Sequence, residues 1–319
     1  MVRPPKKPGK LTGEQSVELG GMIPGSRHAA FSLSLPDDIP IPVVVAVPHS
    51  GRNYPPALVR QMRDAEYSKV RLEDRYVDQI AAEAVRSTGA GMLIADAPRA
   101  MLDLNRATDD VDWDMIADLP AGQARHSAAN RRARSGLGLI PRRLPGLGEI
   151  WRERLSQAEL AARVRQIHEP YHSALANALQ KVRDRWGAAL LLDLHSMPPL
   201  KKAHKDDVPA KFVLGDRFGA SASDRLIASA LRHFAESGSS VSHNRPYAGG
   251  FVLDRHAAPT HGIHAIQLEI CRSCYLDQHW QETTAQIDTL GPLIAGLVRA
   301  LGEVAARLGR DNGVPLAAE

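Results

Sequence analysis

Cysteine is nearly absent from this chain of 319 residues. Only Cys271 and Cys274 occur, which excludes a disulfide-stapled framework and fits a reducing cytoplasm. Aromatic residues are scarce as well, at 5%. No apolar stretch approaches the ~20 residues that a membrane span needs. The opening MVRPPKKPGK is basic, but no apolar segment follows it, so a signal peptide is not expected. Nothing repeats internally. The bulk composition is that of a globular protein, with 44% hydrophobic and 24% charged residues, and this argues against global disorder. The expected organisation is a loose basic tail over residues 1–25, one folded domain over 26–310 and a frayed end over 311–319.

The net charge of +4 raises the question of nucleic acid. Positive charge is densest from Arg125 to Arg143, with Arg131, Arg132, Arg134, Arg142 and Arg143 between or at those limits. No aromatic side chain is interleaved there to stack on bases, so neither a nucleic-acid nor a membrane partner is expected. Two readings of the stretch stay open: a solvated loop, or an anion-binding lip at the mouth of a site.

Patterning points to an open α/β sheet. Pro42–Pro48 (PVVVAVP) and Ala188–Leu194 are short apolar runs that read as buried strands, each followed at once by a histidine, His49 and His195. Lys211–Leu214 and Ile263–Ile270 are further strands, and Gly91–Ala95 and Met101–Leu104 are shorter candidates. Helices are expected over 78–86, 157–186 (interrupted at Pro170), 221–236 and 278–308. Residues 107–150 lack periodicity, and a loop of that length in a compact domain is functional or mobile. Polar residues at the ends of apolar strands are the signature of a site at the carboxyl edge of a sheet.

Imidazoles on strand ends suit a zinc ion, which takes borderline-soft ligands from rigid elements. Asp193, two residues before His195 and on the same side of the strand, can orient that imidazole. An oxygen ligand is expected from the acidic cluster at 73–78, Asp74 first and Glu73 second, although acidic residues also favour a helix start for dipole reasons alone. Glu269 lies in an apolar strand, where a carboxylate is costly unless it is used, and is the candidate general base. Asn105 and Arg106 in DLNR suit a substrate carboxylate, though an internal salt bridge explains the pair equally well.

Two other motifs compete. His168-Glu169-Pro170-Tyr171-His172 matches the helical H-E-x-x-H zinc signature. Proline inside a helix is disfavoured, and a helix beginning at Pro170 would leave His168 outside it. Cys271-Arg-Ser-Cys274 has redox or zinc-knuckle spacing, but no second pair exists to complete four ligands.

The order of short motifs is more specific than any one of them. PHSG (48–51), DRYVD (74–78), RAMLDLNR (99–106), LGLIPR (137–142), EPYHSAL (169–175), LLDLHSMP (191–198), LGDRFG (214–219), RPYAGGF (245–251) and IQLEI (266–270) run in the order of the N-formylglutamate amidohydrolases, which this chain resembles from about residue 42 to 275. The resemblance implies a zinc carboxypeptidase-like fold: a single α/β domain whose mixed parallel and antiparallel sheet is flanked by helices. It matches His195-Ser196 to a ligand segment, Asn105-Arg106 to a carboxylate clamp and Glu269 to the general base. One departure stands out. Three residues after His49, where the carboxypeptidases have a glutamate ligand, stands Arg52, so the oxygen ligand must come from elsewhere.

The expectation is therefore one Zn²⁺ on His49, Asp74 and His195, Glu269 as base, Arg99 beside the developing oxyanion, and Asn105 and Arg106 on the α-carboxylate of a small N-acyl amino acid. The alternatives are a carboxypeptidase-like peptidase or amidase, and a non-enzymatic module with a structural metal on four protein ligands.

Overall fold

The apolar runs become the centre of one eight-stranded sheet. Its strands in chain order are β1 (Val17–Gly20), β2 (Phe31–Ser34), β3 (Val43–Val47), β4 (Gly91–Ala95), β5 (Ala189–Met197), β6 (Phe212–Gly215), β7 (Val241–His243) and β8 (Ile263–Cys271). The computed structural model describes residues 17–119, 131–202 and 208–311. Across the sheet the strand order is β1-β2-β4-β3-β5-β8-β6-β7. The middle four, β4-β3-β5-β8, are mutually parallel, while β2 joins one side and β6 the other in antiparallel sense. Strands β3, β5 and β8 are buried on both faces, which is why they read as unbroken apolar runs and not as alternation.

Helices cover both faces. Leu190, Leu192 and Leu194 of β5 and Ile266, Leu268 and Ile270 of β8 face α1 (Val77–Thr88), α3 (Asp224–Glu236) and α4 (Ile287–Asp311). Each such fully buried aliphatic side chain is worth roughly 1.5–3 kcal/mol. On the other face Ala189 and Leu191 pack with α2 (Glu169–Trp186) and with the loops between β4 and α2. Helix α4 is long and apolar enough to cross a membrane by length and composition, but it packs as a core helix, burying Leu290, Ile294, Leu297, Val298 and Leu301 against the sheet layer. The expected single α/β layer structure with a mixed sheet and flanking helices is what the chain forms.

Several boundaries differ from expectation, each for a local reason. The loose tail does not extend to residue 25: Val17–Gly20 pairs with β2, and Ile23 is fully buried. The anchor is Pro170. Proline offers no N–H to the carbonyl four residues back, that of Gln166, and the Met22 N–H takes that acceptor instead at 2.9 Å. The same proline follows a wide π-type turn at Val164–His168, so the helices Gln157–Arg163 and α2 run on through it and His168 is not cast outside.

Met101–Leu104 is not a strand. Asp103 Oδ1 accepts the Asn105 N–H (2.8 Å), a local bond that bends the chain there. Helix α4 begins at Ile287, not 278, because residues 276–283 form a turn closed by a bridge between Leu276 and Thr283. Finally, β5 runs past residue 194 to Met197, so His195 lies inside the strand.

Candidate metal centre and catalytic site

The order of the sheet makes its own crevice. From β3 the chain crosses to β4 on one side and later returns to β5 on the other, so the connections diverge between β3 and β5 at their carboxyl ends. His49, two residues beyond β3, and His195, near the end of β5, sit at that point. Gly51 allows the approach: a Cβ there would lie 2.1 Å from Ala97 O, so only glycine lets the His49 loop press on the backbone leaving β4.

The third member is Asp74, whose backbone N–H donates to His49 O (2.9 Å) and brings the segment before α1 against the loop. Of the two acidic candidates it is Asp74 that reaches the histidines. Glu73 is turned away and accepts from Arg75 Nε at 2.7 Å. His49 Nδ1, His195 Nδ1 and Asp74 Oδ2 face one another, with separations of 3.1 Å between the nitrogens, 3.1 Å from His195 to Asp74 and 3.4 Å from His49 to Asp74. All three side chains are buried.

Each histidine is held from behind by a carboxylate. His49 Nε2 donates to Asp103 Oδ1 (2.7 Å), and His195 Nε2 donates to Asp193 Oδ2 (2.9 Å). An ionised carboxylate only accepts, so both Nε2 atoms carry hydrogen and both Nδ1 lone pairs point inward. Asp74 presents Oδ2 because Oδ1 is occupied by Ser196 Oγ (2.9 Å) and Arg272 Nη2 (3.3 Å). Three acceptors therefore converge with no donor between neutral rings, and such an arrangement calls for a cation. Burial favours the neutral forms of His195 and Asp74. Where a proton stands in for that cation, the Asp193 and Asp74 carboxylates hold His195 well above the ordinary imidazole value, and the facing His195 and His49 rings hold Asp74 well below the carboxylate range.

A metal fits this cradle. Ligand atoms at the corners of a tetrahedron with arms of ~2.0 Å stand about 3.3 Å apart, close to the three observed edges. Among the described residues this is the one group of histidine, cysteine and acidic side chains so arranged, and it offers three ligands, the number typical of a catalytic centre with an open position. Because Asp103 fixes the tautomer of His49, Asp103→Asn is expected to weaken metal affinity by about 10- to 100-fold, read by competition with a chromophoric chelator.

Glu269 stands beside the cluster as the register partner of His195 on the neighbouring strand, and paired residues on parallel strands share a face. Burial pushes its carboxyl up to about 7, with Asp74 and Asp193 adding to the effect and His195 and Arg99 opposing it. Arg99 completes the near surroundings: its Nε and Nη2 both reach Asp103 Oδ2 at 2.9 Å.

A family model described as N-formylglutamate amidohydrolase matches residues 41–276. The chain belongs to that family. An N-formylglutamate deformylase of Pseudomonas putida is 29% identical over 242 residues, covering 75% of this chain and 83% of the relative. One from Pseudomonas aeruginosa PAO1 is 27% identical over 283 residues, covering 85% and 95%. The crystal structure of an N-formylglutamate amidohydrolase from Ralstonia eutropha JMP134 is similar at a TM-score of 0.75 and 29% identity, over 88% of this chain and 99% of that one. A gene product of Agrobacterium tumefaciens, 16% identical, shares the fold at a TM-score of 0.61 over 86% and 96%.

Four of the nine motifs meet at this one place. PHSG carries His49, DRYVD carries Asp74, LLDLHSMP carries Asp193, His195 and Ser196, and IQLEI carries Glu269. EPYHSAL plays another part. His172 Nε2 donates to Leu104 O (3.0 Å), His168 Nε2 donates to Arg106 O (2.9 Å), and His172 Nδ1 pairs with His256 Nε2 (2.9 Å). With these nitrogens committed to backbone carbonyls and to His256, the H-E-P-Y-H pair braces the DLNR turn and is not among the three residues of the metal cradle.

The substrate clamp read from DLNR is divided by the structure. Arg106 Nε and Nη1 hold Leu137 O and Asn105 O, while Nη2 lies 4.0 Å from Asp103 and leaves hydrogen-bonding capacity over. The Asn105 carboxamide accepts from the Val252 N–H and donates one Nδ2 hydrogen to Gln267, so it is partly engaged within the protein. The basic stretch divides too. Arg142 pairs with Asp112 and Glu149, and Arg143 pairs with Glu149, whereas Arg132 is exposed and its charge reaches Arg106 and Tyr247. Arg125 and the side chain of Arg131 lie outside the described residues. The two cysteines are free thiols.

Asp103, Gln267 and Arg272 complete the site and were not singled out from the sequence. The available signal was the one that marked Glu269: a polar or charged residue in or at the end of an apolar run, where burial is costly unless the group has a partner.

Proposed function

We propose that this protein hydrolyses N-formyl-L-glutamate to formate and L-glutamate, with one divalent ion, Zn²⁺, on His49, Asp74 and His195. The observation that carries the reading is the convergence of those three ligand atoms beside a buried carboxyl with a raised pKa. The names of the two Pseudomonas relatives support the substrate. Two imidazoles and a carboxylate suit zinc. When bound, the ion would polarise the scissile carbonyl and acidify water.

In this reading Glu269, ionised, takes a proton from the attacking water and returns it to the departing amine nitrogen. The water oxygen bonds to the formyl carbon and the C–N bond breaks, so formate and the free amino group of glutamate result. Arg99, already anchored on Asp103, faces the charge that develops on the carbonyl oxygen. Arg106 Nη2 takes a substrate carboxylate, and the charge of Arg132, which reaches Arg106, would add to the attraction.

The deciding measurement is formate release from N-formyl-L-glutamate, set against N-acetyl and N-succinyl analogues, peptides and cell-wall fragments. Preference for the formyl compound with no peptide cleavage is the expected result; peptide cleavage without deformylation would select a carboxypeptidase-like peptidase or amidase. The pH dependence follows from the sign of the Glu269 shift. Below its pKa the carboxyl is protonated and cannot accept, so kcat/KM rises with pH through the limb and levels above it. A nearby dication lowers the value of about 7, so the limb is expected at or below that pH in the metal-loaded enzyme.

A further inference from the structure

We propose that Gln267 is a positioning residue for Glu269, the last link of a directed amide relay that begins at the backbone of Val252. The Val252 N–H donates to Asn105 Oδ1 (3.0 Å), Asn105 Nδ2 donates to Gln267 Oε1 (3.4 Å), and Gln267 Nε2 donates to Glu269 Oε1 (2.9 Å). All three side chains are buried, so no water competes freely for these groups.

The direction of the relay is forced from its origin. A backbone N–H can only donate, so it fixes the carbonyl oxygen of Asn105 toward Val252 and leaves the amide NH₂ for Gln267. Gln267 in turn spends its own oxygen on Asn105 and has only its NH₂ to offer Glu269. Oε1 of Glu269 is thereby an acceptor, and a proton taken up by the carboxyl must reside on Oε2. One oxygen is tethered and the other is left to exchange protons. Gly250 keeps the relay closed, since a Cβ there would lie 2.5 Å from Asn105 Oδ1.

The same short turn serves both halves of the site. Asp103 orients His49, and Asn105, two residues on, orients Gln267 and through it Glu269. Asn105 thus acts on the base through Gln267 with one of its two Nδ2 hydrogens. The inference rests on Glu269 being the base of the proposed reaction.

A double-mutant cycle on the metal-loaded enzyme tests it, with formate release from N-formyl-L-glutamate as the assay. Gln267→Met keeps the length of the side chain and removes the donor. It is expected to lower kcat by about 10- to 100-fold, with KM within about threefold and metal content unchanged. In the Glu269→Gln background the same substitution should cost less than about twofold, because the group it positions is already disabled. If Met does not pack, seen as a large drop in Tm, Asn105→Leu cuts the relay one link earlier and should also lower kcat in the wild-type background only. Losses that are equal in both backgrounds, or a silent Gln267→Met beside a crippled Glu269→Gln, overturn the relay alone. A fully active Glu269→Gln overturns the catalytic reading beneath it and the relay with it.

Discussion

His195→Ala is expected to lower kcat/KM for formate release by about 10³-fold and to empty the cradle of metal, read by elemental analysis of the purified variant. Each cradle member presents one inward atom, so losing one leaves two ligands too few to define a site. The Asp193 carboxylate would also lose its buried partner, and Asp74 one of its two imidazole neighbours. Chelation of the wild-type protein should reproduce the loss, and restoring the divalent ion should reverse it. Full deformylase activity after exhaustive chelation would sink the metal assignment. Loss of metal from His168→Ala but not from His195→Ala would revive the H-E-P-Y-H motif as the ligand pair.

Glu269→Gln is the second large effect. The substitution keeps shape, and its Oε1 can still accept from Gln267, but it cannot take a proton. A general base is worth roughly 10²- to 10⁴-fold, and the loss should fall on kcat, with KM changed little and metal stoichiometry intact. The acidic limb of the pH profile should vanish with the carboxyl. A variant that lost metal along with activity would place Glu269 among the ligands instead.

How much of this was legible in the sequence depended on the reach of each interaction. The runs at 43–47, 189–197 and 263–271 were readable because burial on both faces leaves no polar alternation to obscure them. The order of strands was not, since β3 lies between β4 and β5 through contacts no local pattern encodes. His49 and His195 were visible because each follows an apolar run directly. Asp74 and Glu73 were inseparable, being adjacent in the chain. Packing separates them: Arg75 holds one while Ser196 and Arg272 turn the other inward. Asp103 and Gln267 escaped notice for a similar reason. The partner that ties each into the site from afar lies 54 residues away for Asp103, at His49, and 162 residues away for Gln267, at Asn105. The resemblance supplied the family, and the geometry showed that the asparagine of DLNR also reaches Val252 and Gln267, contacts that no local pattern encodes.

The pairing of Glu269 with His195 across β8 and β5 has a consequence for how this site tolerates change. Side chains alternate along a strand, so Glu269 and Leu268 look to opposite faces, as do His195 and Leu194. Inserting or deleting one residue within β8 ahead of Glu269 would turn its carboxylate into the greasy layer under α1 and α4 and bring Leu268 or Ile270, respectively, to the reaction centre. A one-residue change of length in either strand is therefore expected to abolish activity, where many single substitutions would not. Novelty in substrate preference has to enter through the loops that follow the strands, which can lengthen or shorten without inverting the sheet beneath them.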